Sequence, residues 1–318
     1  MVENGTATFA SPDEYRAAIE AAKVDLFVTS GGDFKGRLTR LKLGGLHLLR
    51  GRENLPRIAF VALSPAHVHV SLPVSGRPGL IYCGIGLNPG DLIFHSLGER
   101  AHQRTAGEGD WCVISLAPEE LAACSRTLTG KSIKAPSESC AIVPARGTAR
   151  LLLSLLSKAC RLAEAKQELI ASPQVERSLE QELLNALVNC LSTESADRPL
   201  KWRRRHADIM VRFEEALAVR GETHLNLSEL CATIDVPERT LRLCCAEFLG
   251  VSPGRYHLLR RLNRARSALR RANPSTASVS EIARGHQFTE LGRFAVAYRV
   301  FFGETPSSTL RRVSIETE

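Results

Sequence analysis

Apolar and polar positions follow different rhythms in different parts of the chain. Up to about residue 140 the apolar residues come in short runs bounded by Gly, Pro and Asn, at intervals of roughly ten residues. Ile58–Leu63, His67–Leu72, Leu80–Ile85 and Leu92–His95 are the clearest runs and predict strands. Ser30-Gly31-Gly32-Asp33, Leu43-Gly44-Gly45 and Leu87-Asn88-Pro89-Gly90-Asp91 predict turns between such strands. One helix is predicted ahead of them, over Ser11–Lys23, with Ser11 as cap and Pro12 in its first turn. Many short strands at this spacing make a sandwich or a barrel.

After residue 146 the period becomes helical. Leu151, Leu152, Leu155, Leu156 and Cys160 recur at helical spacing, and after Ser172-Pro173 a second stripe runs through Leu179, Leu183, Leu184, Leu187 and Leu191. Two such helices form either a dimer interface or a brace on the β domain. Ser192–Pro199 is polar and reads as a linker. The basic run Lys201-Trp-Arg-Arg-Arg205 after it either touches phosphates or is simply solvated. The expected division is a β-rich domain (1–145), a helical segment (146–195), a linker (196–206) and an all-helical domain (207–318).

The last part opens with a helix predicted over Ala207–Arg220. Asn226 then caps a short helix, and Glu229 is placed to close a capping box. After a turn at Asp235-Val236-Pro237, a second helix carries Leu241, Cys244, Cys245 and Phe248 inward and Arg239 and Arg242 outward, and ends at Gly250. A short helix, a tight turn and a second helix with outward arginines is helix-turn-helix patterning. The plan recurs at a period of about 50 residues. Ser278–Ala283 opens a short helix, Phe288 follows the turn, and a helix over Glu290–Phe302 carries Phe294, Tyr298 and Phe301 inward. Phe248-Leu-Gly250-Val-Ser252-Pro253 aligns with Phe302-Gly303-Glu-Thr305-Pro306, the second one residue tighter. Between the copies lies a long basic helix, Pro253–Arg271.

Charge sharpens this division. The 318 residues carry a net charge of +8, with 44% hydrophobic and 24% charged residues, an ordinary folded composition. From residue 201 onward there are 20 basic and 13 acidic residues, against 22 and 21 before it. All but Lys201 of those 20 are arginine, the side chain suited to bidentate phosphate and guanine contacts. A GC-rich genome makes the same exchange, so the location of the charge carries more weight than its arginine content. The nine cysteines are odd in number and form no CxxC pair, which argues against a disulfide framework or a structural zinc site. They are expected as buried small hydrophobes in a reducing cytoplasm; Cys244-Cys245 as a redox sensor is the less favoured alternative. No apolar run is long enough to span a bilayer, and the N-terminus lacks a secretory signal pattern, so no membrane partner and a cytoplasmic location are expected.

The motifs of the last third occur together and in order: Leu230-Cys-Ala232, Arg239-Thr-Leu241, Gly250-Val-Ser-Pro253, Tyr256, Arg261-Leu262-x-x-Ala265-Arg266-x-x-Leu269, Ile282-Ala283, Phe288, Gly292-Arg293-Phe294, Tyr298-Arg299 and Phe302-Gly303-Glu-Thr-Pro306-Ser307. This constellation, covering about 207–314, resembles the DNA-binding region of the AraC/XylS family of bacterial transcription regulators. The resemblance implies two helix-turn-helix units on a linking helix, each placing its second helix in successive major-groove segments of double-stranded DNA. It also implies an N-terminal cupin-like β-barrel that senses a small-molecule effector, assembly as a homodimer, contact with RNA polymerase, and activation more often than repression. The fold class expected is therefore α+β: a cupin-like β-barrel with two brace or dimerisation helices, then an all-α domain with two helix-turn-helix units. The chain departs from the family pattern at Pro237 for Ser or Thr, Leu243 for a basic residue, Cys245 for an aromatic, and Gln287 for glycine.

On this reading Arg239, Arg242 and Arg293 are the candidate base readers. Thr240, Thr289, Glu290, Arg299 and Arg261 are candidates for phosphate or secondary contacts. No cofactor and no catalytic residue is expected. The enzyme alternative rests on His67-Val68-His69, which alternation places on one face of a strand. A cupin metalloenzyme would add a Glu and a further His; His95 and His102 lie downstream, but no Glu follows within a few residues. A third alternative is a non-specific architectural DNA binder, which two separate recognition helices argue against.

Overall fold

The structure, a computed structural model, describes residues 4–75, 79–165, 172–192, 201–220 and 226–312. Of the linker expected at 196–206, residues 196–200 lie outside them, and 201–206 are not linker but the first turns of a helix, Lys201–Arg220. The chain forms two compact units: residues up to Asp25 with Phe34–Lys201, and Leu26–Asp33 with Trp202–Glu318.

The first unit is built on strands β1 (Gly5–Phe9), β2 (Ala22–Val28), β3 (Gly36–Leu43), β4 (Leu46–Glu53), β5 (Arg57–Leu63), β6 (Val68–Ser75), β7 (Ile81–Tyr82), β8 (Ile85–Gly86), β9 (Leu92–Phe94), β10 (Arg100–Arg104), β11 (Gly109–Leu116) and β12 (Cys140–Ile142). They make a seven-stranded sheet in the order β1-β3-β4-β11-β6-β9-β12 and a five-stranded sheet in the order β2-β5-β10-β7-β8. The strands predicted at Ile58–Leu63, His67–Leu72 and Leu92–His95 and the Gly44-Gly45 turn fall where expected, whereas Leu80–Ile85 is not one strand but a tight hairpin of β7 and β8, which turns through Cys83 at φ 45° and Gly84 at φ 77°. The barrel is not closed: each sheet keeps its own edges, and the two are joined by side chains rather than by ladder hydrogen bonds.

The first helix, α1 (Pro12–Ala17), is much shorter than predicted. Arg40 of β3 donates to the Ala18 carbonyl where α1 stops. Beyond it, Lys23-Val-Asp-Leu-Phe-Val28 is rich in β-branched and aromatic residues and joins the sheet as β2. A further helix, α2 (Pro118–Thr129), stands in the region read as mostly β. Its signals were Pro118 in the first turn and Gly130 at φ 74° after the last.

Alternation gives the seven-stranded sheet two different faces. Leu41 and Leu43 of β3, Leu46 and Leu48 of β4, Val68, Val70 and Leu72 of β6, and Cys112, Ile114 and Leu116 of β11 are buried on one face. They pack with Leu152, Leu156, Ala159, Cys160 and Ala163 of α3 (Arg146–Ala165) and with Leu179, Leu183, Ala186 and Leu187 of α4 (Pro173–Leu191). Most of both leucine stripes is thus occupied within the domain, as in a brace, while Leu151 is exposed. Truncating one of these leucines to Ala would cost about 2–5 kcal/mol.

The other face is more polar, and around Glu53 it is buried. Glu53 accepts hydrogen bonds from Tyr15 Oη at 2.6 Å, Arg57 Nε at 2.6 Å and Trp111 Nε1 at 2.9 Å. Gly51 leaves the room that Trp111 and Tyr15 occupy, because a Cβ there would collide with both. On the helix-facing side, at the end of the apolar rows, Arg50 binds both oxygens of Asp110 at 2.8 Å.

Among its described residues, the second unit takes in Leu26–Asp33, which begins with the end of β2, and the helices α5 (Lys201–Arg220), α6 (Leu227–Thr233), α7 (Glu238–Leu249), α8 (Pro253–Arg271), α9 (Val279–Gly285), α10 (Leu291–Phe302) and α11 (Pro306–Arg312). The duplication is close in geometry. The helices α6 and α9 have seven residues each, and α7 and α10 have twelve each. Gly250 and Gly303 end the longer pair at φ 71° and 75°. The turns pass through Asp235 at φ 52° and Gln287 at φ 61°. Counted back from the glycines, Phe248 corresponds to Phe301 and Leu249 to Phe302, all four buried. The second copy is therefore not one residue tighter; Phe301, not Phe302, is the counterpart of Phe248. Ser252 and Thr305 then cap the next helix in each copy, accepting from Arg255 N at 3.3 Å and Ser308 N at 3.1 Å. At α6, Asn226 Oδ1 accepts from the amides of Ser228 and Glu229, and Glu229 accepts from the Asn226 side-chain amide.

Candidate functional site

The outward faces of α7 and α10 carry the predicted readers. On α7, Arg239, Arg242, Leu243 and Ala246 are exposed, at the i, i+3, i+4, i+7 spacing of one face. The inward face buries Leu241, Cys244, Cys245, Phe248 and Leu249. On α10, Arg293, Val296, Arg299 and Val300 are exposed, while Phe294, Tyr298, Phe301 and Phe302 are buried. Thr240 is half-buried and Thr289 exposed. Glu290 is the cap residue of α10, although its side chain makes no cap hydrogen bond. In register, Arg293 is the counterpart of Thr240; Arg239 and Arg242 match Gly292 and Ala295.

Two of these arginines are held by glutamates of their own turn. Arg242 bonds Glu238 at 2.6 Å, and Arg293 bonds Glu290 at 2.9 Å. Both pairs are exposed, so each is worth no more than about 1 kcal/mol and can be exchanged for a ligand. They orient the guanidinium away from the helix core without locking it.

Arg261 lies elsewhere. Its Nε donates to the His286 carbonyl at 3.0 Å, its NH2 donates to the Gln287 carbonyl, and the guanidinium stacks 4.1 Å from the Phe288 ring centroid. It thereby closes the end of α9 at the second turn. Arg212 of α5 does the same at the first turn, donating to the Ile234 carbonyl at 2.7 Å. Arg260 and Tyr256 both bond the buried Glu214, and Arg266 bonds Glu304 at 2.9 Å while stacking on Phe302. The surplus charge of this region therefore includes arginines that hold the fold. Cys244 and Cys245 are fully buried and their thiols are pushed up by that burial, which suits core packing rather than redox chemistry.

In the first unit, a cavity of about 410 Å³ opens on the polar side of the seven-stranded sheet. Arg40, Lys42, His47, His67 and His69 line it with Leu41, Leu48, Leu49 and one carboxylate, Glu20. That volume is within the range of small-molecule sites. His67 and His69 were read in the sequence; Arg40, Lys42 and His47 were missed, although they alternate with the buried Leu41, Leu43, Leu46 and Leu48. His47 and His69 flank Ser115 across β4, β11 and β6. The His69 ring is buried, with Nδ1 2.8 Å from Ser115 Oγ and Nε2 3.1 Å from the Ser64 carbonyl. A carbonyl only accepts, so Nε2 carries the proton and Nδ1 accepts from Ser115. Burial, opposed by the hydrogen bond to Ser64 and aided by the charges of His95 and His67, pushes His69 down to about 4. Burial also lowers His47, followed by the charge of His67. His95 sits deeper, bonded to Ser71 at 2.7 Å and Glu99 at 2.5 Å. His102 is buried against Phe60, with centroids 4.8 Å apart. Among the described residues, no three His, Cys, Asp or Glu side chains are grouped to hold a metal ion, and no helix is long and apolar enough to cross a membrane.

The family model of the AraC-binding-like domain matches residues 17–188, more than half of the chain, and that of a helix-turn-helix domain matches residues 230–312. The XylDLEGF operon transcriptional activator 3 of Pseudomonas putida is 27% identical over 251 residues, 77% of this chain and 72% of that protein. A probable thc operon regulatory protein of Rhodococcus erythropolis is 34% identical over 97 residues, 30% of this chain and 29% of that protein. That second alignment spans less than a third of the relative. Among solved structures, the AraC-like transcriptional activator CuxR is 17% identical, with 97% of this chain and 99% of that chain covered and a TM-score of 0.40. With an AraC-binding-like domain followed by a duplicated helix-turn-helix domain, the chain belongs to the AraC family of transcription regulators.

Proposed function

We propose that this regulator activates transcription by binding operator DNA through α7 and α10, under the control of a small molecule held in the cavity of the first unit. The observation that carries the reading is the pair of outward helix faces bearing Arg239 and Arg242 on one and Arg293 on the other. Arg239, Arg242 and Arg293 read base edges, where a bidentate guanidinium recognises guanine O6 and N7. Arg299, Thr240, Thr289 and Glu290 serve phosphates or secondary contacts near the helix starts. Arg261 acts from behind, by holding the second turn.

The cavity lining supports an effector with an anionic head and an apolar body. Arg40 and Lys42 supply positive charge against the single Glu20, the imidazoles supply hydrogen-bonding groups, and Leu41, Leu48 and Leu49 supply the apolar wall. Effector binding shifts the population between presentations of the DNA-binding helices by its differential affinity for them. The protein acts in the cytoplasm as a homodimer that contacts RNA polymerase.

Footprinting at about 0.15 M salt tests the central claim. A protected site upstream of a neighbouring operon is expected, together with stimulated transcription from that promoter. Protection nowhere, or uniform coating of all DNA, refutes it. Light scattering during size-exclusion chromatography tests the dimer, and a monomer at working concentration refutes that part.

A further inference from the structure

Leu243 is 58% exposed at the centre of the outward face of α7, and Val296 is 65% exposed on α10. Both lie seven residues before the terminating glycines, Gly250 and Gly303, so they hold the same register in the two copies. Val300, one turn beyond Val296, is 81% exposed. These side chains add nothing to the cores, which Leu241, Cys245 and Phe248, and Phe294, Tyr298 and Phe301, already fill. Single exposed aliphatics are common on protein surfaces; what sets these apart is that they hold the same register on two duplicated helices and that Val300 extends one of them.

The surroundings indicate which partner. Arg239 and Arg242 flank Leu243, and Arg293 and Arg299 flank Val296. An aliphatic tip inside a cationic rim complements a polyanion with an apolar group recessed between its charges. In the major groove that group is the C5-methyl of thymine, the apolar feature on a base-pair edge there, with phosphates on either side. We infer that Leu243 and Val296 each read a thymine methyl, at corresponding positions of two half-sites. This rests on the reading of α7 and α10 as the DNA-contacting helices and supplies what the arginines do not: discrimination of A·T pairs.

The experiment uses the full chain and a duplex selected by it from random sequences. Each thymine of the selected site is replaced in turn by deoxyuridine, which removes only the methyl. In each half-site one replacement should weaken binding about fourfold, the worth of one buried methyl. Leu243→Ala should abolish the penalty in one half-site and Val296→Ala in the other, with melting temperatures unchanged because both side chains are exposed. Tolerance of deoxyuridine everywhere overturns the inference while leaving the arginine readers standing. So does a penalty undiminished in both variants, or a selected site lacking thymine at matching positions. Failure to select any site overturns the inference together with the DNA-reading assignment beneath it.

Discussion

Arg212 and Arg261 perform one task in the two halves of the helical unit. Each reaches from the preceding long helix to the carbonyl that ends a seven-residue helix, Ile234 at 2.7 Å and His286 at 3.0 Å. The turn between the helices of each pair is therefore tied to the element before it, and that tie aims the recognition helix. Replacing Arg261 by Ala should cost about 1.5–3 kcal/mol, the worth of a charge-assisted hydrogen bond in a partly buried place. Protection of the half-site read by α10 should be lost before that read by α7. Arg261→Lys should rescue little, because one ammonium cannot span both carbonyls. Chemical denaturation with footprinting measures both effects, and equal weakening of both half-sites would contradict the local role.

Asp235 and Gln287 occupy the left-handed backbone region at corresponding turns. A β-carbon there is strained, less so for Asp, whose short side chain tolerates the conformation. Gln287→Gly should stabilise the protein by about 1 kcal/mol and Asp235→Gly by less. Thermal melting reads the order; a destabilised Gln287→Gly would show that its side chain contributes more than the strain removes.

His69 makes stability depend on pH. Its value in the folded protein, about 4, lies below its ordinary 6.5, so between these the unfolded chain binds the additional proton. The contribution of the neutral imidazole is complete above about pH 6.5 and declines as the pH falls toward 4, by about 1.4 kcal/mol per pH unit. His69→Gln should flatten the stability profile over that window. Parallel profiles for the two proteins would dissociate His69 from the effect.

The buried Glu53 receives Tyr15, Arg57 and Trp111. Glu53→Ala strands the Arg57 guanidinium without its carboxylate and should cost about 3–5 kcal/mol. Replacing the exposed partner Glu238 by Gln should leave stability within about 0.5 kcal/mol and strengthen DNA binding, by freeing Arg242. Denaturation curves compare the two; similar losses would mean that burial is not what separates them.

What could be read in advance follows from range in sequence. The helix-turn-helix repeat is written in local signals: Asn226 as cap, Gly250 and Gly303 as ends, Leu241 and Phe294 at helical spacing. Each acts within a few residues, so pattern suffices. The extent of α1 was not legible, because Arg40, from a distant strand, receives its end. Nor were the fates of Arg260, Arg261 and Arg266. Their partners Glu214, His286 and Glu304 lie 46, 25 and 38 residues away, and an arginine bonded to a buried carboxylate looks in sequence like one waiting for a phosphate. The cavity was half legible: His67 and His69 stand out as possible metal ligands, while the alternation that puts Arg40, Lys42 and His47 beside them carries no motif.

The arginines committed to the fold have a thermodynamic consequence for DNA binding. Arg260 and Arg266 are buried on carboxylates, and Arg212 and Arg261 donate to backbone carbonyls. They raise the potential around the helical unit but displace no condensed cations from DNA. The salt dependence of binding counts displaced cations, roughly one per phosphate neutralised. Its slope should thus report only the arginines at the outward faces and fall well short of the twenty basic residues that the sequence places in this region.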